Sequence, residues 1–412
     1  LAKISSIEGR ILYNSRGSKT IEVDVQSDSK FLGRVCAPSG ASVGKYEAVS
    51  FPNGKPEESL KILKENSQKF VGLESSDLKG IHDVLKRLDG STNYSVIGGA
   101  LAFAVTIASM ESASKASDEP LFKILSSESS FKFPFPLGNI LGGGAHAGPG
   151  TPDIQEILIC ATGSKTIEDA IETNLSVHKE LRQVLEKEDP NFTNGRGDEG
   201  GWAPKLDNQK ALEISAKACE NLGFTLGKEV SLGVDFASST QWNDEKEKYV
   251  YDRAGFENST GEQIDFAANI IEKFKLIYAE DAVHEEAFED MSELTKKFPN
   301  ILVVGDDLTV TNKNILKKAI EVKSCNAAIL KVNQAGSLFD AFEFFKEAAK
   351  NNIKLITSHR SGESTDSQIS HIGIATKSKM LKVGVVGGER VAKLNELLRL
   401  SEHDLIRGMA EI

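Results

Sequence analysis

The segment TIEVDVQS (20–27) alternates apolar and polar residues, the pattern of a half-buried antiparallel strand. It lies within residues 1 to about 55, which read as strands and turns. The period then lengthens. PEESLKILKENSQKF and DLKGIHDVLKRL carry helical spacing, and GGALAFAVTIASMESASKA (98–116) is almost wholly apolar or small. A helix that is apolar all round is a buried one. Strands followed by helices predict an α+β unit over residues 1–125.

From about residue 134 the rhythm changes. The apolar, β-rich runs PFPLGNIL, IQEILICA, EVSLGVD, KLIYAED, NILVVGDD, AAILKV, IKLITSH and KMLKVGVV are separated by longer segments. Amphipathic stretches such as GEQIDFAANIIEKFK and GSLFDAFEFFKEAAKNN lie between several of them. That alternation predicts a parallel sheet with crossover helices. Eight such runs predict an α/β fold: a (β/α)8 TIM-like barrel over residues 126–412, preceded by the smaller α+β N-terminal domain. The gap after EVSLGVD is longer than the others and leaves room for an irregular loop, SSTQWNDEKEKYVYDR.

The predicted strands end in ionisable groups: Asp235, Glu280, Asp306, Lys331, His359 and Lys382. In a barrel these converge at the C-terminal mouth, where active sites of this fold sit. Asp235, Glu280 and Asp306 are carboxylates on adjacent strands with no Cys or His beside them. Oxygen-only ligands suit a hard cation, Mg2+ foremost. Helix capping or pairing with Lys331 is the plainer alternative for them. A lysine leaving an apolar strand near a metal can have its ammonium destabilised and act as a base. It can equally be a salt-bridge partner.

Bulk composition narrows the class. The chain has 412 residues, 40% hydrophobic and 26% charged, with no run long enough to span a membrane and no evident signal peptide. A net charge of −11 argues against a nucleic-acid partner, though a local site can still take a small anion. Cys36, Cys160, Cys219 and Cys325 are scattered without a CxxC, which reads as reduced thiols in a cytosolic protein.

Four loops add chemistry. SHRSGES (358–364) groups an imidazole, a guanidinium fork and a hydroxyl, a set suited to a phosphate or carboxylate or, more plainly, to a polar turn. GGGAHAGPGTPDIQE (142–156) is glycine-rich and carries His146, Gln155 and Glu156; it reads as a loop able to close over a ligand. GDEGGWAP (197–204) sets Asp198 and Glu199 among glycines, and APSGASVGKYEA (37–48) carries Ser39 and Ser42. Alone, each of the last two is weak.

Together these segments resemble one family. NSRGSKTIEVDV, PSGASVGKYEA, GGGAHAGPGTPDIQE, GDEGGWAP, GVDFAS, GDDLTVTN, LKVNQAGS, SHRSGES and GGERVAKLNELLRL resemble enolase along essentially the whole chain, with archaeal-type members the nearest in overall trace. The resemblance implies reversible dehydration of 2-phospho-D-glycerate to phosphoenolpyruvate, in glycolysis and gluconeogenesis. It implies Lys331 as the base that takes the C2 proton and Glu199 as the acid that protonates the departing C3 hydroxyl. It implies two Mg2+ per site: a tighter one on Asp235, Glu280 and Asp306, and a second, arriving with substrate, that Ser42 helps to hold. Arg360 and Ser361 are implied to hold the phosphate, Lys382 the carboxylate side, and His146, Gln155, Glu156 and His359 to line the pocket. A Lys or His base with one or two Mg2+ is an established superfamily pattern, not a reading of these residues. On this assignment Glu199 must keep a proton near neutrality, with Glu156 as the neighbour that raises it. The family also implies a cytoplasmic homo-oligomer, a dimer or an octamer, with surface display as a secondary role of some members.

The chain departs from the family pattern in places. The His146–Glu156 loop is one residue longer than usual, Glu280-Asp281-Ala282 replaces Glu-Asp-Pro, NSRGSK replaces DSRGNP, and VGVVGGER follows Lys382. None removes a residue with a chemical role. The rival readings are another Mg2+-dependent lyase or racemase on the same barrel, which the phosphate-type SHRSG loop disfavours, and a surface-displayed binding protein, for which the AEI terminus offers no C-terminal lysine.

Overall fold

The computed structural model describes residues 2–41 and 44–412, so Ser42 lies outside the described residues. The N-terminal part begins with an antiparallel sheet of β1 (Ile4–Tyr13), β2 (Lys19–Ser27) and β3 (Phe31–Cys36), with β2 central. The alternation read in residues 20–27 is real: Ile21, Val23 and Val25 face the core. Helices α1 (Pro56–Asn66), α2 (Leu78–Asp89), α3 (Gly99–Ser117) and α4 (Leu121–Leu125) follow. The apolar segment forms α3, which is buried continuously from Gly99 to Met110. One face packs on β2 and β3, and another meets Leu338, Ala341 and Phe344 of the barrel layer. Each such side chain contributes about 1.5–3 kcal/mol on burial, so α3 ties the N-terminal sheet to the barrel.

After a short strand β4 (Phe131–Phe133) come the first two barrel strands, β5 (Phe135–Gly142) and β6 (Glu156–Cys160). Helices α5 (Ile167–Glu188) and α6 (Asn208–Asn221) lead to β7 (Ser231–Asp235). The stretch expected to be an irregular loop is instead an antiparallel meander, β8 (Trp242–Asn243), β9 (Lys248–Tyr251) and β10 (Phe256–Asn258). Its alternating polar and aromatic residues bury Tyr249 and Tyr251 against the barrel layer. The chain continues through α7 (Thr260–Phe274), β11 (Tyr278–Glu280), α8 (Phe288–Lys297), β12 (Leu302–Gly305), α9 (Lys313–Val322) and β13 (Ala327–Leu330). It ends with α10 (Val332–Ala335), α11 (Leu338–Lys350), β14 (Lys354–Ser358), α12 (Gln368–Ala375), β15 (Met380–Lys382), α13 (Gly388–Leu400) and β16 (Ile406–Met409), which pairs with β4.

The eight predicted runs form a closed barrel in the order β5, β6, β7, β11, β12, β13, β14, β15, filled by residues such as Leu137, Leu158, Ile329 and Ile356. One expectation fails: the barrel is not all parallel. Strand β6 runs antiparallel to both β5 and β7. The reason lies in the connection. Residues 143–155 hold four glycines and two prolines and form no crossover helix, and a chain that returns directly must pair antiparallel. The inversion has a chemical consequence. Glu156 opens β6, yet it stands opposite Asp235, which closes β7. Both therefore reach the same mouth.

Candidate active site

Six groups leave the strand ends into that mouth. Asp235, Glu280 and Lys382 are the last residues of β7, β11 and β15, while Asp306, Lys331 and His359 follow β12, β13 and β14 directly. One pocket is lined by Asp235, Asp306, Lys331, His359 and Lys382 together with His146, Gln155, Glu156, Glu199, Arg360 and Ser361. Glu280 lies beneath it, fully buried. Every predicted site residue among the described ones thus converges.

The floor is a lattice of opposite charges. Lys382 Nζ lies 2.9 Å from Glu156, 2.9 Å from Asp235 and 2.5 Å from Glu280. Tyr278 donates its hydroxyl to Glu280 at 2.6 Å, and Gln155 Nε2 donates to Asp235 at 3.3 Å. Lys331 donates to Asp306, whose other oxygen accepts from Gln334 Nε2 at 3.0 Å. Burial and the nearby Asp235 push the Glu280 carboxyl well above its usual range. Burial disfavours the Lys382 ammonium, but Asp235, Glu156 and Glu280 hold its pKa well above normal. Lys331 behaves alike: burial works to lower it and the Asp306 carboxylate overrides burial, so its pKa is raised. This reverses the expectation of a destabilised ammonium, because the adjacent Asp306 carboxylate favours the charged form.

The donor set suits a hard cation. Glu280, Asp235 and Glu156 bring carboxylate oxygens within 4.8 Å of one another, and Glu280, Asp281 and Asp306 form an overlapping group. Glu280 Oε1 is buried with no hydrogen-bond partner. A buried, unpaired carboxylate oxygen among further carboxylates is stabilised by a cation. Counting Glu47, Asp281 and Asp307, seven carboxyl groups line the pocket against Lys331, Arg360 and Lys382. An anionic ligand entering such a site needs added positive charge.

The wall is built by loops. Residues 197–202 leave α5 and rejoin the barrel at β5, where Trp202 N–H donates to the Ile140 carbonyl at 3.0 Å and Gly142 N–H to the Trp202 carbonyl at 2.9 Å. The Trp202 ring stacks on His178 at 4.7 Å, and its indole N–H bonds the His178 carbonyl at 2.9 Å. Glu199 is thereby presented to the pocket, buried, with His359 Nε2 at 3.0 Å and His146 Nδ1 at 3.7 Å. His146 Nδ1 is also 3.0 Å from Glu156. Glu156 and Glu199 form a coupled acid pair. Burial, with Glu199 beside it, raises the Glu156 carboxyl to about 7. Burial also works to raise Glu199, but His359 and His146 overcome it and hold that carboxyl well below the usual range. Burial works to lower the His146 imidazole, yet Glu199 and Glu156 raise its pKa. Burial lowers His359 to about 4, so it acts as a neutral donor. Within the pair it is therefore Glu156, and not the expected Glu199, whose carboxyl is raised, since His359 bonds Glu199 and His146 lies between the two.

Arg360 turns its fork toward Glu47 of the 37–48 loop, with Nη1 and Nη2 donating to the two carboxylate oxygens at 3.0 and 3.3 Å, and Nη1 also reaches Asn333 at 3.1 Å. Ser361 Oγ is buried in the same pocket with no hydrogen-bond partner. Ser39 exchanges two backbone bonds of 2.8 Å with Gly362, which docks the 37–48 loop on SHRSG. Glu47, Gln334, Asp281 and Asp307 were not singled out in the sequence. All four sit inside segments quoted above, and that proximity was their only signal.

The model of the family described as "Enolase, C-terminal TIM barrel domain" matches residues 130–408, and that of "Enolase, N-terminal domain" matches residues 4–125. The chain belongs to the enolase family. Among its curated relatives, the enolase of Methanosphaera stadtmanae is 43% identical over 99% of both chains, and that of Methanothermobacter thermautotrophicus 42% identical over 99% of both. The enolase of Archaeoglobus fulgidus is 38% identical over 97% of both. The enolase pattern thus runs the full length, and the departures at Ala282 and in NSRGSK change no group that lines the pocket. No helix among the described residues is long and apolar enough to cross a membrane.

Proposed function

We propose that the chain catalyses the reversible dehydration of 2-phospho-D-glycerate to phosphoenolpyruvate. What supports the reading is one pocket in which a strand-borne lysine, a loop-borne pair of carboxyl groups and an Arg-Ser phosphate-type cradle stand together. The C2 proton adjoins a carboxylate and is very weakly acidic, so its removal needs both a base and positive charge. Lys331 is the base. Asp235, Glu280 and Asp306 would hold one Mg2+, and a second, bound with substrate, would take Ser42 among its ligands. Bound Mg2+ supplies Lewis-acid stabilisation of the charge that develops on the substrate carboxylate. Lys382 faces that carboxylate, and Arg360 with the unpartnered Ser361 hydroxyl holds the phosphate. Hydroxide is a poor leaving group, and Glu199 protonates it with the proton that the Glu156–Glu199 pair stores. His146, Gln155 and His359 orient that pair and its surroundings.

The pocket also favours this substrate over an unphosphorylated acid, as a racemase would use. The buried Ser361 hydroxyl would have no phosphate oxygen to meet in that case, and a site built to bond a group rejects analogues lacking it. The test is turnover of 2-phosphoglycerate with Mg2+, followed by the ultraviolet absorbance of the enol phosphate, beside unphosphorylated 2-hydroxy acids. Phosphoenolpyruvate from the phosphorylated acid alone is expected. Epimerisation of an unphosphorylated acid with no enol phosphate would sink the reading. A cytoplasmic homo-oligomer goes with it, consistent with four buried, unpaired cysteines.

A further inference from the structure

Arg390, the third residue of α13, is fully buried, and no role above uses it. Its guanidinium is spent on the loops that carry the wall. Nη1 lies 2.8 Å from His359 Nδ1 and donates to the Arg360 carbonyl at 2.5 Å. Nη2 donates to the Ser361 carbonyl at 2.6 Å and to the Asp198 carbonyl at 3.0 Å. Nε faces Glu389 at 3.3 Å. One side chain therefore bridges the residue before Glu199 and the residues on both sides of Arg360.

The contact with His359 fixes more than position. A guanidinium has donors and no acceptor, so His359 Nδ1 must accept. The single proton of a neutral imidazole then sits on Nε2, where it points at Glu199 Oε2, 3.0 Å away. Backbone packing holds the same relation. A Cβ on Gly384, in the loop that leads to α13, would lie 2.0 Å from the Glu199 carbonyl. On Gly200, at φ +84°, it would lie 2.3 Å from the Val386 carbonyl. The Glu199 loop and the β15–α13 loop touch backbone to backbone, and Arg390 is the polar bolt across that contact.

We infer that Arg390 is a positioning residue that locks His359 as its Nε2–H tautomer and fixes the Glu199 loop against the SHRSG loop, so that it serves the protonation of the leaving hydroxyl rather than removal of the C2 proton. The inference rests on the functional reading above. Lys331 is held by Asp306 and makes no bond to Arg390, so the first step is spared when the clamp is cut.

The test uses the full chain with Mg2+. Nitrogen NMR of His359, assigned by loss of its signals in His359→Phe, should show an unprotonated Nδ1 and a protonated Nε2 in the wild type at neutral pH. In Arg390→Met that preference should disappear. Its kcat for phosphoenolpyruvate should fall about 10- to 100-fold, the usual cost of removing an outer partner of a site group. KM should rise by less than kcat falls, since the clamp also holds the Arg360 and Ser361 carbonyls, and exchange of the C2 hydrogen with solvent should persist, because the base is untouched. Arg390→Lys, which keeps the charge but not the fork, should recover part of the lost kcat. Equal losses in exchange and dehydration with an unchanged tautomer would overturn the inference. So would a wild-type spectrum with the proton on Nδ1, a measurement that needs no variant to fold. A wild type with the Nε2–H tautomer that makes no phosphoenolpyruvate would retain the clamp and remove the functional reading instead.

Discussion

The floor and the wall of the pocket are held by different forces. The floor is Asp235, Glu280, Asp306, Lys331 and Lys382, each at or just past the end of a barrel strand. Their positions follow from strand register, and their opposite charges restrain one another. The wall is Glu199, His146, Arg360 and Ser361, carried by segments far apart in sequence and joined by hydrogen bonds: Arg390 to Asp198, Arg360 and Ser361, and Ser39 to Gly362. A rigid sheet can carry unbalanced charge without moving, so the floor is suited to holding cations. Loops can meet a ligand only if something fixes them, so the wall depends on buried polar clamps. The lesson is that damage to the floor should act through charge and damage to the wall through geometry.

The largest effect should come from stripping the floor of its cation. Chelation should abolish turnover and Mg2+ should restore it, because the carboxylates outnumber the cations that line the pocket. Full activity in excess EDTA would show that Lys382 and Lys331 balance the floor unaided. Next comes the contrast between the two sides. Lys331→Ala should lose both C2 hydrogen exchange and dehydration, whereas Glu199→Gln should keep exchange and lose product. Each proton-transfer group is typically worth about 10²–10⁴-fold, so NMR of substrate recovered from D2O should separate them. Exchange in the lysine variant but not the glutamate variant would mean that the roles are reversed.

A smaller effect is expected at the cradle. Arg360→Lys keeps the charge but loses the two-pronged geometry, and should raise KM and weaken phosphate-bearing inhibitors together, by about 1–3 kcal/mol. Unchanged affinity for every phosphorylated ligand would leave Arg360 a structural partner of groups such as Glu47 and Asn333. The smallest effect concerns pH. The Glu156 carboxyl titrates near 7 in the fold against 4.5 in its absence. A raised acid stabilises the fold below about pH 4.5, and that contribution is lost as pH rises through about 7. The metal-free protein should therefore have a lower Tm at pH 8 than at pH 6, and Glu156→Gln should flatten the difference. A wild-type Tm that rises over this interval, with no flattening in the variant, would contradict the shared proton.

The floor was the more legible region. Six ionisable residues closing β-rich runs could be read from periodicity alone, because a barrel brings strand ends to one mouth. The wall was legible only through motif likeness. GDEGG and PSGAS were ordinary turn chemistry until read beside LKVNQ and SHRSG. Arg390 was invisible, since a single arginine opening an amphipathic helix normally faces solvent. The β8–β10 meander was missed because its strands are only two to four residues long. Strand β6 was assigned correctly and oriented wrongly, since direction leaves no mark on a five-residue apolar run.

The sequence by itself determined the eight barrel runs, the buried helix α3, the oxygen-rich donor set and the family pattern, all of which depend on local residue type and spacing. Only the tertiary structure decided that β6 is inverted, which sets Glu156 opposite Asp235 and across from Glu199. It alone decided that His359 bonds Glu199 while His146 lies between Glu199 and Glu156, which leaves Glu156 the raised carboxyl, and that Asp306 raises the pKa of Lys331. A pKa and a tautomer are set by the charges and donors within a few ångströms. In this fold those neighbours come from residues separated by up to several hundred positions along the chain.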